Sequence, residues 1–472
     1  MTEIKTDVLI IGAGSGGLSV AAGAVQMGAD VTMLEGHKMG GDCLNFGCVP
    51  SKALLAAGKA AIQPGQTGKF GVSPATPEVN YAAAKDHVHD VIAQIEPVDS
   101  QERFEGLGVR VIREWGVFKD KETVLAGEYT IKARRVVIAT GSGPFVPPIS
   151  GLDTVPFYTN ENIFDLREKP DHLLIIGAGP IGMEMAQAHL RLGCKVTVIE
   201  GFKAFGRDDP EAAALVIEKM RAEGLNLAEN AKVSNISGSE GAIKVETEDG
   251  QSFEGTHLLM AVGRKTNIDK LNLEAAGIET TRTGIQVDAG MRTTNRKVYA
   301  IGDAAGGLQF THVAGYHAGV IIRSLLFALP AKTKTDHIPW VTYTQPELAQ
   351  VGPTEAEAVK THGAAVEVAR FDYHHNDRAI AERKTDGFIK VMVVKGRPVG
   401  VTIVGEQAGE LISLWSMAIA NRMKMSQVAA MVAPYPTISE VNKRAAGAYF
   451  TPRLFDNPTV KRVVRLVQRL IP

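Results

Sequence analysis

Cysteine is scarce in this chain: three residues in 472. That is too few for a disulfide-stapled secreted scaffold or a four-cysteine zinc site, and it suits a reducing compartment. A cytoplasmic protein is expected. Net charge is nearly absent as well, with 51 Lys+Arg against 52 Asp+Glu, so no bulk basic field invites nucleic acid. Missing too is any apolar run of the ~18 residues that a membrane span needs. The nearest stretch, 320–330, is interrupted by Arg323. Lys5 followed by an apolar run from Val8 has the outline of a signal peptide, but Gly12, Gly14, Gly16 and Gly17 break it. What is present is ordinary for a globular protein, 45% hydrophobic and 22% charged, with length enough for about three domains.

Those glycines have a better explanation. Asp7–Ile11 is a short aliphatic run that suits a buried parallel strand. It is followed by Gly12-Ala13-Gly14-Ser15-Gly16-Gly17, a helical stretch from Leu18 to Met27, and a second strand, Val31–Leu34, ending at Glu35. A Gly-x-Gly-x-x-Gly run is weak evidence alone; between strand and helix, with an acid about 20 residues on, it is a dinucleotide-binding fingerprint. Gly12 permits the tight turn, Gly14 lets a pyrophosphate approach the backbone, and Gly17 lets helix and strand pack closely. Glu35 is positioned to accept from a ribose. The unit recurs: Leu173–Ile176, then Gly177-Ala178-Gly179-Pro180-Ile181-Gly182, a helix, and Lys195–Ile199 ending at Glu200. Two bound dinucleotides in one chain imply hydride passing between them, which points to a flavin and a nicotinamide.

Further strands close on glycine at Thr140-Gly141, Val262-Gly263 and Gly302-Asp303. The expected layout is a first nucleotide domain at 1–147 resuming at 265–335, a second at 148–264 inserted into it, and a C-terminal domain at 336–472. Directly after the first unit comes Gly40-Gly41-Asp42-Cys43-Leu44-Asn45-Phe46-Gly47-Cys48-Val49-Pro50-Ser51-Lys52. On an ideal helix, five residues between Cys43 and Cys48 mean about 7.5 Å of rise, beyond the ~6.8 Å Cα separation a disulfide allows. A bridge therefore requires local distortion, for which Gly47 and Pro50 are suited. The alternative is two free cysteines packed in a core; beside a flavin site the redox-active pair is preferred.

This cysteine segment resembles the active-site signature of the class I pyridine nucleotide–disulfide oxidoreductases, which include dihydrolipoamide dehydrogenase, glutathione reductase and mercuric reductase. The resemblance extends over nearly the whole chain, through Glu184 after the second fingerprint, Ala139-Thr140-Gly141, Tyr299-Ala300-Ile301-Gly302-Asp303, Tyr343-Thr344-Gln345-Pro346-Glu347 and Pro436-Thr437-Ile438-Ser439-Glu440. It implies an α/β fold with two Rossmann-like domains, the second inserted in the first, and a C-terminal α+β domain that forms a homodimer. FAD would be held by Gly12, Gly14, Gly17, Glu35, Gly41, Lys52, Thr140, Gly141, Asp303 and Ala314, with the helix starting near His312 aimed at the flavin pyrimidine. The nicotinamide cofactor would be held by Gly177, Gly179, Gly182, Glu200 and Gly263. Lys52 and Glu184 match the ion pair beside the flavin N5. Cys48 matches the thiolate that faces the flavin, and Cys43 the interchange thiol that faces substrate. Tyr435 and Glu440 would complete the partner protomer's site. An acid at Glu200 favours a free 2′-hydroxyl and hence NADH; Lys203 and Arg207 keep NADPH as the alternative.

The chain also departs from the family. Disulfide-reducing members carry a His where Tyr435 stands, and a phenol titrating near ~10 is a poor base at neutral pH. Tyr435 resembles mercuric reductase, but the Cys-Cys pair that enzyme carries at its C-terminus is not matched in Gln468–Pro472. The expected acceptor is thus a small electrophile, a metal ion or a reactive oxidant. Two alternatives are a dihydrolipoamide dehydrogenase-type enzyme serving protein-bound lipoyl groups, and a membrane-peripheral flavoprotein reducing a quinone or a protein. Cys194, before a buried strand, reads as inert packing, and His374-His375 as a solvated loop, so no resident metal is expected. In the tail 457–472, Val460, Val463, Val464, Val467, Leu470 and Ile471 recur at helical spacing, with Lys461, Arg462, Arg465 and Arg469 mostly opposite. Such a helix either packs on its own domain, the commoner case, or lies on an anionic membrane surface.

Overall fold

The aliphatic run at Asp7–Ile11 ends the strand Thr2–Ile11, where Val8 to Ile11 are all buried. A strand covered on both faces has no polar face to alternate with, which is why the run is unbroken. In the computed structural model, which describes residues 2–471, this strand is central to a seven-stranded sheet. Val31–Leu34 and then Arg110–Ile112 pair parallel on one side of it, and Tyr129–Ile138 on the other. The far edge of Tyr129–Ile138 is shared. Its first half carries the antiparallel strands Thr123–Ala126 and Val117–Phe118, and its second half pairs parallel with Val298–Ala300. A strand near residue 300 thus completes a sheet whose other strands all lie before residue 139, and the chain between holds an insertion.

The insertion repeats the design on a smaller scale. His172–Ile176 is flanked in parallel by Lys195–Ile199 and His257–Met260, and an antiparallel meander follows Val233–Ser239, Ala242–Thr247 and Ser252–Gly255. The chain passes in and out through a two-stranded ribbon, Ser142–Pro144 against Arg264–Thr266. Two compact units divide the chain: Met1–Gly201 with Ala228–Lys334, and Phe202–Leu227 with Thr335–Pro472. The helix Pro210–Ala222 therefore groups with the C-terminal unit. There Lys390, almost wholly buried, reaches Asp209 at 2.8 Å, Glu211 at 3.0 Å and Glu355 at 3.2 Å.

The second unit is an antiparallel sheet of five strands in the order Pro339–Thr342, Glu347–Val351, Arg397–Gly405, Phe388–Val394, Val366–Asp372. Helices Ala408–Ala420 and Glu440–Ala448 share its core with Tyr373, Ile389, Ile403 and Trp415. Full burial of each such aliphatic side chain contributes about 1.5–3 kcal/mol, and the one polar atom of Trp415 is satisfied by Asn442 Oδ1 at 2.8 Å. The last helix, Pro458–Leu470, is capped by the Asn457 side chain, and none of its residues is buried. The packing of this tail on its own domain, the commoner case on sequence grounds, is not what the structure adopts. The architecture is α/β with two dinucleotide-type halves and an α+β unit, as the sequence led one to expect. Among the described residues no helix is long and apolar enough to cross a membrane.

Candidate active site

The two glycine turns have nearly the same geometry. Gly12 and Gly177 both sit at φ +106°, where a Cβ would lie 2.5 Å from Ala139 O and 2.4 Å from Ala261 O. A Cβ on Gly17 would meet Gly12 O at 1.9 Å, and one on Gly182 would meet Gly177 O at 2.0 Å. Only glycine fits at these four positions. Helices Ser15–Gln26 and Pro180–Arg191 start directly behind the turns, so unpaired N–H groups and a positive dipole end face the region a pyrophosphate would occupy. The acids behave alike as well. Glu35 accepts from Ala13 N at 2.7 Å and from His37 N at 2.7 Å, and Glu200 accepts from Ala178 N at 2.8 Å. Each carboxylate thus braces its own turn, a duty additional to the expected ribose contact.

The turns differ in what faces them. Gly14 is opposed by Gly41, at φ +62°, where a Cβ would come within 2.7 Å of Gly14 Cα. Around Gly179 nothing lies within 4 Å of a built Cβ, and the same holds for Gly263. On the first side Thr140, two residues past the strand Tyr129–Ile138, has its hydroxyl oxygen shut off from solvent and without a partner, and Gly141 follows at φ +66°. Ala314, on the helix Thr311–Phe327, packs where Gly16 and Gly302 leave room for it.

The cysteine segment is distorted where expected. Helix Gly41–Asn45 stops, Phe46 and Gly47 leave helical geometry, and helix Cys48–Ile62 begins at Cys48 itself. Pro50 falls in its first turn, where a missing N–H leaves no bond unmade. Both cysteines are thiols in this structure. The Cys43 thiol donates to the Cys48 sulfur, and this is the main reason the Cys48 thiol is pulled down to about 6. Partial burial opposes the shift, while the Thr311 hydroxyl at 3.2 Å and the Lys52 charge assist it. The same hydrogen bond drives Cys43 well above the ordinary thiol range. Placement at a helix N-terminus favours the Cys48 thiolate further. One turn along, Lys52 Nζ meets Glu184 Oε2 at 2.8 Å, with the carboxylate buried.

Several residues that the sequence did not single out hold this loop. Asp42 Oδ2 pairs with Arg264 at 3.0 Å and Asp42 Oδ1 accepts from Asn160 at 3.0 Å. Arg264 also donates to Ser142 Oγ at 2.7 Å, and Ser142 in turn donates to Asp303 at 2.5 Å. Burial raises the Asp303 carboxyl, against the pull of Ser142 and Arg264. Thr311 is the other omission. Arg264 and Asp42 are more than 200 residues apart, as are Thr311 and Cys48, so no local pattern could join them.

The structure brings Cys43, Cys48, Lys52, Glu184, Asp303 and both glycine turns into the first unit. Tyr435 and Glu440 belong to the second. There the Tyr435 hydroxyl, on an exposed side chain, donates to Asp377 Oδ2 at 3.0 Å, which pushes the phenol upward. Glu440 opens the helix Glu440–Ala448. Cys194 is buried and its thiol is pushed up to about 11 by that burial, so it is inert. His374 and His375 lie in one 3₁₀ turn, and among the described residues no cluster of three or more His, Cys, Asp or Glu could hold a metal.

Comparison with known proteins agrees with this geometry. Residues 6–318 match the pyridine nucleotide-disulphide oxidoreductase family, and residues 338–446 match its dimerisation domain. The mercuric reductase of Lysinibacillus sphaericus is 34% identical over 454 residues, 94% of this chain and 83% of the relative. The dihydrolipoyl dehydrogenase of Staphylococcus aureus is 31% identical, covering 94% of this chain and 96% of its own. Among solved structures, the Cu(II) complex of the HOCl-induced flavoprotein disulfide reductase RclA from Escherichia coli aligns with a TM-score of 0.84 at 26% identity, over 94% of this chain and 99% of that one.

Proposed function

This chain belongs to the pyridine nucleotide-disulphide oxidoreductase family, and we propose that it passes electrons from NADH through FAD and the Cys43–Cys48 pair to a small electrophilic acceptor. FAD and NAD(P)H are the family's cofactors, and the residues here suit them. A side chain at Gly41 would strike Gly14, the Thr140 hydroxyl lacks a partner, and the open second turn ends at an acid suited to a free 2′-hydroxyl. When bound, the two cofactors together supply an electron pair at the cysteines. Lys52, fixed by Glu184, lies beside Cys48 and assists the Cys43 hydrogen bond in favouring the thiolate.

The acceptor class is supported by the Tyr435 hydroxyl, which donates to Asp377, and by the direction of the two cysteine shifts, which leaves the reduced pair one proton near neutral pH. Cys48 is drawn toward its thiolate, and Cys43 is held toward the protonated thiol. Tyr435, raised and tied to Asp377, is unsuited to remove that last proton. A hypohalous acid needs no such base. Thiolate, thiol and HOX become disulfide, X⁻ and water, so that the sulfurs are oxidised by two electrons and the remaining proton leaves on the acceptor's oxygen. A metal ion accepts the same pair and releases that proton to solvent. The reading is supported by the names of the relatives, a mercuric reductase and an HOCl-induced reductase. The matched dimerisation domain supports a homodimer, in which Tyr435 and Glu440 of one protomer are assigned to the other's acceptor pocket.

The test is a panel of acceptors under anaerobic conditions with NADH: hypothiocyanous acid, a hypohalous acid, cupric and mercuric ions, glutathione disulfide, lipoamide and a quinone. Turnover of the oxidants or metal ions that vanishes in Cys43→Ser is expected. Lipoamide turnover of equal or greater efficiency would overturn the acceptor class.

A further inference from the structure

The helix Pro458–Leu470 lies beyond the matched dimerisation domain, which ends at residue 446. At 100° per residue, Val460, Val463, Val464, Leu466, Val467 and Leu470 fall on one continuous arc. Lys461, Arg462, Arg465 and Arg469 fall on the opposite arc with Gln468, and Thr459 is the one polar side chain on the apolar side. The apolar arc is uncovered: Val463 is 54% exposed, Leu466 57% and Leu470 72%. A solvated helix ordinarily carries acids among its bases, yet no Asp or Glu occurs after Asp456.

We propose that this helix lies flat on an anionic membrane surface and anchors the enzyme there. Thirteen residues give about 20 Å of helix, well short of a span, but a helix of that length rests at the headgroup boundary with its apolar arc submerged and its arginines among the phosphates. A second copy of the helix is the weaker occupant. Two such arcs face to face would cover the apolar residues but turn both basic arcs outward with no carboxylate on either helix to pair with them, whereas anionic headgroups supply that counter-charge. The inference stands apart from the redox reading, since it uses none of the residues assigned to electron transfer.

The test is flotation of the flavin-loaded full chain with phosphatidylcholine vesicles, with and without phosphatidylglycerol, beside a chain ending at Asp456 and an Arg465→Gln/Arg469→Gln variant. Co-flotation of the full chain with the anionic vesicles, diminished by salt and lost on truncation, is expected. Each arginine brought to an anionic surface is worth about fivefold in partitioning, so the double variant should fall by about 25-fold. Flavin content and NADH-driven turnover should match in all three, which separates lost anchoring from lost folding. Equal flotation of full and truncated chains overturns the proposal. So does equal binding to neutral vesicles, or truncation that alters only the oligomeric mass, which would make the helix a contact between copies.

Discussion

The two glycine turns share a backbone but not a setting, and the difference separates a socket from a docking place. Gly12 and Gly177 take the same φ, and Gly17 and Gly182 face the same kind of carbonyl at almost the same distance. Yet the first turn is faced by Gly41, on the segment that also carries the cysteines, whereas Gly179 looks onto open space. A group held in the first turn is enclosed by the segment it must reduce. At the second, no atom lies within 4 Å of a Cβ built on Gly179, so no facing segment closes on that glycine. That is the physical distinction between a resident cofactor and an exchanging one.

The largest expected effect comes from Gly12→Val against Gly177→Val. Both impose the same clash at positive φ, costing at least about 2 kcal/mol locally. The first should yield protein without flavin, and the second a yellow protein that NADH no longer reduces. Flavin absorbance per chain decides, and flavin loss in both would break the comparison. Next, Gly41→Ala should weaken flavin retention, while Gly179→Ala, with room for its methyl, should leave flavin in place and raise the KM for NADH several-fold. Smaller again, Glu200→Gln should narrow the preference for NADH over NADPH, about tenfold in kcat/KM, because one repulsive charge is removed. Glu35→Gln should instead lower thermal stability by about 1 kcal/mol through one weakened turn bond.

The gentlest probe is pH. The Cys48 thiol is lowered from 9.0 to about 6, so its thiolate persists above that value and is lost as pH falls through it. Alkylation of the reduced protein by iodoacetamide should therefore have a midpoint near 6, and Lys52→Met should move it upward. The KM for NADH at the open turn should stay flat across that window. A sloping KM would mean that the two sites are not separable in this way.

What could be read from the sequence follows the range of each signal. The turns were legible because glycine spacing reports backbone geometry within about 25 residues, and the cysteine pair because its break falls on Gly47. Asp42, Ser142, Arg264 and Thr311 were not, since each acts through a partner distant along the chain, and single polar residues carry no period. The partner of Tyr435, Asp377, escaped for the same reason. The tail was legible as an amphipathic helix. Whether its apolar face was covered depended on the rest of the fold, which periodicity does not contain.

The hydrogen bond between the two sulfurs has an electrochemical consequence. A thiolate lowered from 9.0 to about 6 favours the dithiol over the disulfide at pH 7 by about tenfold, while the raised Cys43 thiol, protonated in either setting, takes nothing back. For a two-electron couple that is a reduction potential higher by about 30 mV. The pair therefore rests in its reduced form under milder reducing conditions than an unperturbed dithiol would need. As pH falls toward 6 that advantage over an unperturbed dithiol fades, because both pairs are then protonated.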